Sequence, residues 1–264
     1  MKKTLFIALA AILIAFAGFH LTSLHGDDRT VKVLFIGNSL TSVNNLPGMV
    51  ANIAKSQGYK MVYESYTRGG ARLVHHASDT NILKKLKEQP WDFVVLQEQS
   101  QFPGFSHKQL TTDVFPHAKR LSEAAKKAHQ HTSVVFYMTM ARRNGDPDNK
   151  QVSSELLTYE GMQERVNSCY LEMAMDNHAL VAPVGELWKT IRERRPDLAL
   201  YSDNIHPNIT GTYLAACVFY ATFFQSPSTG SSVPREVNRS IAQSLQELVD
   251  RIVLDDGERW DWRE

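Results

Sequence analysis

The sequence is poor in the residues that announce a bound cofactor or a polyanionic partner. Among 264 residues there are only two cysteines, Cys169 and Cys217, which cannot supply the thiolate set of a structural zinc site. There is no surplus of charge: 29 Lys and Arg face 28 Asp and Glu, a formal net charge of +1. No basic run carries interleaved aromatics, so nucleic acid is not expected as a partner. The His-Glu-x-x-His, Gly-x-Gly-x-x-Gly and Gly-Lys-Ser/Thr signatures of zinc, dinucleotide and nucleotide sites are missing. Asp146-Pro147-Asp148 clusters acids, but without the alternating ligands and closing glutamate of a calcium loop. His75 and His76 are adjacent and point in different directions on a helix or a strand, which argues against a chelating pair. No metal and no cofactor are expected.

Internal repeats and low-complexity tracts are also missing, and a hydrophobic content of 43% suffices for one sizeable core. The longest apolar run, Leu5 to Phe19 after Met1-Lys2-Lys3, is shorter than the ~20 residues a spanning helix needs. With the small-x-small Ala15-Phe16-Ala17 it reads as a signal peptide over residues 1–17. Leu21 and Leu24 could instead extend it into an uncleaved anchor reaching to about residue 24. The expected location is exported, periplasmic or extracellular, with a membrane contact only if the anchor is kept. Export would permit Cys169 and Cys217 to pair; two buried thiols are the alternative.

After a polar linker over residues 18–30, β-rich apolar runs alternate with helical patterns, which predicts a parallel sheet built of βαβ units. Strands are expected at Val31–Ile36, Lys60–Tyr66, Phe93–Leu96, Ser133–Tyr137 and Leu180–Val184. Helices are expected at Leu46–Gln57, Thr80–Glu88, Leu110–His129, Tyr159–Asn177, Ile209–Phe224 and Val237–Val253. The fold class is therefore α/β, a three-layer α/β/α sandwich with a five-stranded parallel sheet. One domain covers 31–254, followed by a charged tail over 255–264 that carries Trp260 and Trp262.

The first strand runs into Gly37-Asn38-Ser39-Leu40. In an open α/β sheet the ligand crevice lies beyond the carboxyl ends of the strands, so Ser39 stands where a nucleophile belongs. Near the other end, Asp203-Asn204-Ile205-His206-Pro207 sets a carboxylate three residues before an imidazole. A serine hydroxyl needs a base to take its proton and a third group to orient that base, roles open to His206 and Asp203. Each signal has a structural alternative: Ser39 or Asn38 could cap a helix, and Asp203 and His206 could shape the turn into one. Two further segments point to the same rim. Tyr66-Thr67-Arg68-Gly69-Gly70-Ala71 follows the second strand and lets backbone amides approach a ligand. Gln97-Glu98-Gln99-Ser100 follows the third and brings side-chain amides. Arg142 and Arg143, after the fourth strand, could grip a carboxylate or sugar hydroxyls, or sit in a solvated turn.

These four blocks resemble the GDSL/SGNH hydrolase superfamily over nearly the whole of the expected domain. The resemblance implies a flavodoxin-like SGNH fold, Ser39 as nucleophile, and His206 and Asp203 as its partners. It implies an oxyanion hole made by the amides of Ser39 and Gly70, with Gly69 as the rival in the pair. In the third block, where the family has Gly-x-Asn-Asp, Gln99 falls at the oxyanion asparagine and Gln97 is a second candidate. A bacterial subgroup of the superfamily carries such a glutamine-containing block. The implied activity is that of an exported serine esterase on an acyl ester of a small molecule or carbohydrate, with acetyl favoured. Asn38, Gln97, Arg142 and Arg143 are candidate substrate contacts. A lysophospholipase- or thioesterase-type lipid esterase is the competing enzyme, with Phe102, Pro103 and Phe105 available to line an acyl tunnel. A binding protein that kept the fold without the chemistry is the reading from another class. An imidazole base predicts activity that falls in mild acid.

Overall fold

A computed structural model describes residues 30–263. The expected export signal, 1–17, and all but the last residue of the 18–30 linker lie outside the described residues. Five parallel strands, β1 (Thr30–Gly37), β2 (Lys60–Thr67), β3 (Phe93–Leu96), β4 (Ser133–Tyr137) and β5 (Leu180–Ala182), pair in the order β2-β1-β3-β4-β5. The helices are α1 (Ser39–Ser42), α2 (Leu46–Ser56), α3 (Leu73–Ser78), α4 (Thr80–Glu88) and α5 (His107–Asp113), then α6 (Phe115–Ala128), α7 (Tyr159–Asp176), α8 (Val184–Arg194), α9 (Ile209–Phe224) and α10 (Arg239–Val249). Among the described residues, no helix is long and apolar enough to cross a membrane.

The inner strands are apolar on both faces, with Val33–Ile36, Val94–Leu96 and Val134–Tyr137 buried, as a sheet covered twice requires. The chain steps from β1 outward to β2, then back past β1 to β3. Right-handed crossovers therefore put the helices of these two steps on opposite faces. On one face α9 lies between α2 and α10; on the other α4, α6 and α7 pack side by side. The reversal leaves a crevice at the carboxyl ends of β1 and β3, the usual ligand position of this strand order.

Helix α9 decides how one side of the site is held. It is buried continuously from Gly211 to Phe223, as expected of a helix apolar on every face. Phe219 meets Phe35 and Tyr137 edge-on at 5.7 and 5.1 Å, and Phe223 stacks on Phe93 at 4.7 Å. Each such ring contributes about 1.5–3 kcal/mol by burial. The carboxyl half of α9 is thereby fixed against β1, β3 and β4, and the Asp203–Pro207 loop leads into the helix's amino end.

Besides the short helices α1 and α3, which the pattern does not announce, three elements depart from the sequence pattern. The single helix expected over Leu110–His129 is two, broken at Val114 (φ −127°, ψ −61°). Pro116 has no N–H for the carbonyl of Thr112 and its ring crowds that carbonyl. The fifth strand ends at Ala182, and Val184 opens α8, whose buried Val184, Leu187, Trp188 and Ile191 follow helical spacing. The expected charged tail is docked through residue 263: Asp261 bridges Leu180, Trp260 is buried, and Trp262 N–H donates to the Ala179 carbonyl at 3.1 Å. Cys169 on α7 and Cys217 on α9 are both free and buried.

Candidate active site

The turn after β1 is shaped from below. A Cβ on Gly37 would come within 2.5 Å of Gln97 Oε1 and 2.6 Å of Thr41 Oγ1, so only glycine lets the strand end so close to the third block. Asn38 leaves the strand in an extended conformation and caps α1, its Oδ1 accepting from Leu40 N–H at 3.0 Å. Ser39 is the first residue of α1. A residue at that position has no intrahelical acceptor for its amide, which stays available to a ligand. His76, buried on α3, holds the same corner: its Nε2 donates to the Gly37 carbonyl at 2.9 Å. Burial lowers its pKa, in keeping with a neutral ring.

The base arrives from the α9 side. Tyr201 and Pro207 form an antiparallel bridge and Ser202 N–H donates to the His206 carbonyl at 2.9 Å, closing a small loop. Within it, Asp203 Oδ1 accepts the amides of Ile205 and His206 at 2.6 and 2.7 Å, while Oδ2 lies 2.8 Å from His206 Nδ1. The other ring nitrogen, Nε2, lies 2.9 Å from Ser39 Oγ. The backbone amides of His206 and Ile205 hold the Asp203 carboxyl at about 2, so it is ionised at neutral pH and its acceptor lone pair selects the Nδ1–H tautomer of the imidazole. Ser39, His206 and Asp203 are thus brought into one hydrogen-bonded line across 167 residues of sequence.

Asn44, which the sequence reading passed over, joins the two halves. It and Asn45 both adopt left-handed backbone (φ 51° and 52°), a conformation asparagine tolerates better than most residues. From there Asn44 Nδ2 donates to the Pro207 carbonyl at 3.2 Å and to Thr212 Oγ1 at 2.9 Å. The nucleophile segment is so tied to the residue beside His206. On the far side, the Arg143 and Asn144 amides donate to the Asn204 carbonyl and Oδ1 at 2.8 and 3.0 Å.

Gly70 sits at the third position of a turn closed by Ala71 N–H to the Arg68 carbonyl at 3.0 Å, with φ +65° and its face exposed. That positive φ belongs to Gly70 and not to Gly69, and the turn's own bond leaves the Gly70 amide unused. Gln99, half-buried, accepts from Gln101 N–H at 3.0 Å through Oε1, which leaves its NH₂ as the remaining donor. Four other candidates fare differently. Asn38 and Gln97 are buried, and their side chains are spent inside the protein. Asn38 Nδ2 donates to the Ala71 carbonyl at 2.9 Å; Gln97 Oε1 accepts from Asn38 N–H and Thr41 Oγ1 at 2.9 Å each, and its Nε2 donates to the Glu98 carbonyl. They shape the turn and do not face a ligand. Arg142 is clamped between Asp146, at 2.9 Å, and Gln101, so it braces the rim loop; Arg143 is exposed. Phe102 and Phe105 pack on one another at 4.9 Å beneath the Arg72 guanidinium, which lies 3.4 Å over the Phe102 ring. With Phe105 and Pro103 buried, these residues do not line an open acyl tunnel. Among the described residues, no cluster of three His, Cys, Asp or Glu side chains could hold a metal ion.

No family model and no curated protein matches the chain. Among solved structures it is similar to a putative SGNH hydrolase from Slackia heliotrinireducens, at 30% identity and TM-score 0.59, over 74% of this chain and 99% of that one. A DUF4886 family protein from Bacteroides uniformis aligns at TM-score 0.72 and 17% identity, over 86% and 95% of the two chains. A variant of an acetyl-xylooligosaccharide esterase from Geobacillus stearothermophilus aligns at TM-score 0.51 and 12% identity, over 78% and 97%. The last two likenesses concern the fold.

Proposed function

Because this chain belongs to the GDSL/SGNH hydrolase superfamily, we propose that it is an exported serine esterase that removes short acyl groups, acetyl first, from a carbohydrate or a small polyhydroxy ester. The observation that carries the reading is the continuous line from Ser39 Oγ through His206 to Asp203, at 2.9 and 2.8 Å. His206 Nε2 takes the Ser39 proton as Oγ attacks the ester carbonyl, and Asp203 stabilises the imidazolium that forms. The tetrahedral oxyanion is received by the amides of Ser39 and Gly70 and the Gln99 NH₂, donors set before the reaction begins. Collapse expels the alcohol, which takes the proton from His206. Water, deprotonated by the same nitrogen, then releases the acid and restores Ser39.

Support for a small acyl group comes from the rim. Phe102 and Phe105 pack on one another under Arg72, so they are not free to line an acyl channel. Asn144, exposed beside the Asp203–Pro207 loop, suits a hydroxyl-bearing partner better than an alkyl chain. The signal-like segment of residues 1–17 would fit an extracellular or periplasmic glycan ester. The test compares p-nitrophenyl acetate with the octanoate, and follows acid release from acetylated xylan, for the wild type and Ser39→Ala. Ser39-dependent hydrolysis of acetate and acetylated xylan is expected. Preference for the octanoate would turn the reading toward lipids, and hydrolysis unchanged in Ser39→Ala would overturn it.

A further inference from the structure

The third block holds a carboxylate that the mechanism does not use. Glu98 is fully buried, where an ionisable group is costly unless something repays its desolvation. Its partners come from both arms of the oxyanion site. Oε1 accepts the amide of Gln99 at 2.6 Å, and the two carboxylate oxygens lie 3.4 and 3.2 Å from the amide of Leu73. Leu73 opens α3, three residues beyond Gly70, and its amide is one of those a helix leaves without an internal acceptor. The Glu98 amide donates in turn to the hydroxyl of buried Tyr170 on α7, at 3.1 Å. A second tie joins the same two segments, since the Arg72 guanidinium lies over the Phe102 ring; Arg72 also donates to the Asp113 carbonyl at the end of α5, at 3.0 Å.

We propose that Glu98 is a positioning residue: its carboxylate clamps the Gly70 turn to Gln99 and so sets the spacing of two oxyanion donors. The inference rests on the esterase reading above and explains why a charged residue follows an apolar strand at this position. Burial pushes the Glu98 carboxyl up to about 7, against the amides of Gln99 and Leu73 and the nearby Arg72, which favour its charge. Replacement by glutamine keeps a carbonyl for the Gln99 amide but turns an NH₂ toward Leu73. Replacement by alanine removes both bonds.

The test uses the full chain carrying Glu98→Gln or Glu98→Ala. Kinetics on p-nitrophenyl acetate and inhibition by phenylboronic acid, which forms a tetrahedral adduct on serine, are measured beside amide hydrogen exchange over residues 70–73 and 99–101. Glu98→Ala is expected to lower kcat tenfold to a hundredfold, on the order of one displaced oxyanion donor, with KM within about twofold. Boronate affinity should fall with kcat/KM, the Leu73 and Gln99 amides should exchange faster, and Glu98→Gln should retain part of the rate. Should the alanine variant fail to fold, Glu98→Gln alone carries the test, with a threefold to tenfold loss in kcat and faster exchange at Leu73. A kcat within twofold of wild type in both variants, or a loss confined to KM, would overturn the clamp. If the wild type shows no Ser39-dependent hydrolysis, the esterase reading fails; exchange unchanged by either substitution refutes the clamp independently of activity.

Discussion

Replacing Asp203 by asparagine separates catalysis from stability at this site. The asparagine Oδ1 can keep the two backbone bonds that Asp203 makes with Ile205 and His206, at 2.6 and 2.7 Å. Its NH₂ then faces His206 Nδ1, where the carboxylate now stands at 2.8 Å. Two donors cannot meet, so the ring adopts the other tautomer, with its proton on Nε2 toward Ser39 Oγ. The base is then already protonated at the nitrogen that must accept. A loss in kcat on the order of 10⁴ is expected, about 5 kcal/mol of barrier. The stability term is smaller. The folded carboxyl titrates at about 2 against an ordinary 3.8, and since the group is more than half exposed, solvent screening reduces that difference to at most about 1 kcal/mol. Because the folded value is depressed, this increment is present above about pH 4 and vanishes as the pH falls through about 2. At neutral pH the variant should melt no more than about 4 °C below wild type, and the two should converge in strong acid. Steady-state rates on p-nitrophenyl acetate and thermal melts at pH 7 and pH 2 check both halves. An Asp203→Asn enzyme that keeps a tenth of the wild-type kcat would refute the tautomer argument.

Asn44→Gly preserves the left-handed backbone while deleting the bonds to Pro207 and Thr212; kcat should fall several-fold with little change in melting temperature. Asn44→Ala should be about 1 kcal/mol less stable than Asn44→Gly in urea titration, because alanine is strained at that φ. Gly211→Ala would drive a methyl into the Leu200 carbonyl and the Trp188 ring, just ahead of the Tyr201–Pro207 loop. Overpacking there should cost about 1–3 kcal/mol and lower activity with it. Burial pushes the Cys217 thiol up to about 12 and raises Cys169 as well. A thiol reagent should therefore label neither in the native protein and both after denaturation.

Much of the molecule could be read along the chain because its signals are local. Phe93–Leu96 and Ser133–Tyr137 are short apolar runs between breakers, and both match the observed strands at their ends. Ile209–Phe224 is also matched, being long, apolar and capped by Asn208. The break at Val114 was less visible, because Pro116 is tolerated in a first helical turn and the pattern does not say where a turn begins. Helix α8 was hidden because its Val184 also completes an apolar β-like run.

The site divides along the same line. Ser39, Gly70 and the Asp203-x-x-His206 spacing follow from position at strand ends and from local motif; the structure joins Ser39, His206 and Asp203 by hydrogen bonds and ties the turn that holds Gly70 to Asn38 through the Ala71 carbonyl. Side-chain direction is another matter. Asn38, Gln97 and Arg142 carry the same groups whether they face a ligand or the interior, and only their partners in space, Ala71, Thr41 and Asp146, show that they face inward. Asn44 and Glu98 gain their roles from residues 163 and 25 positions away. By itself the sequence determined the strands and most helices, the candidate reacting groups and the superfamily, since periodicity and motif are properties of neighbours along the chain. Tertiary structure alone decided which polar side chains brace the site and which remain free to act, because a hydrogen bond is settled by proximity that folding creates.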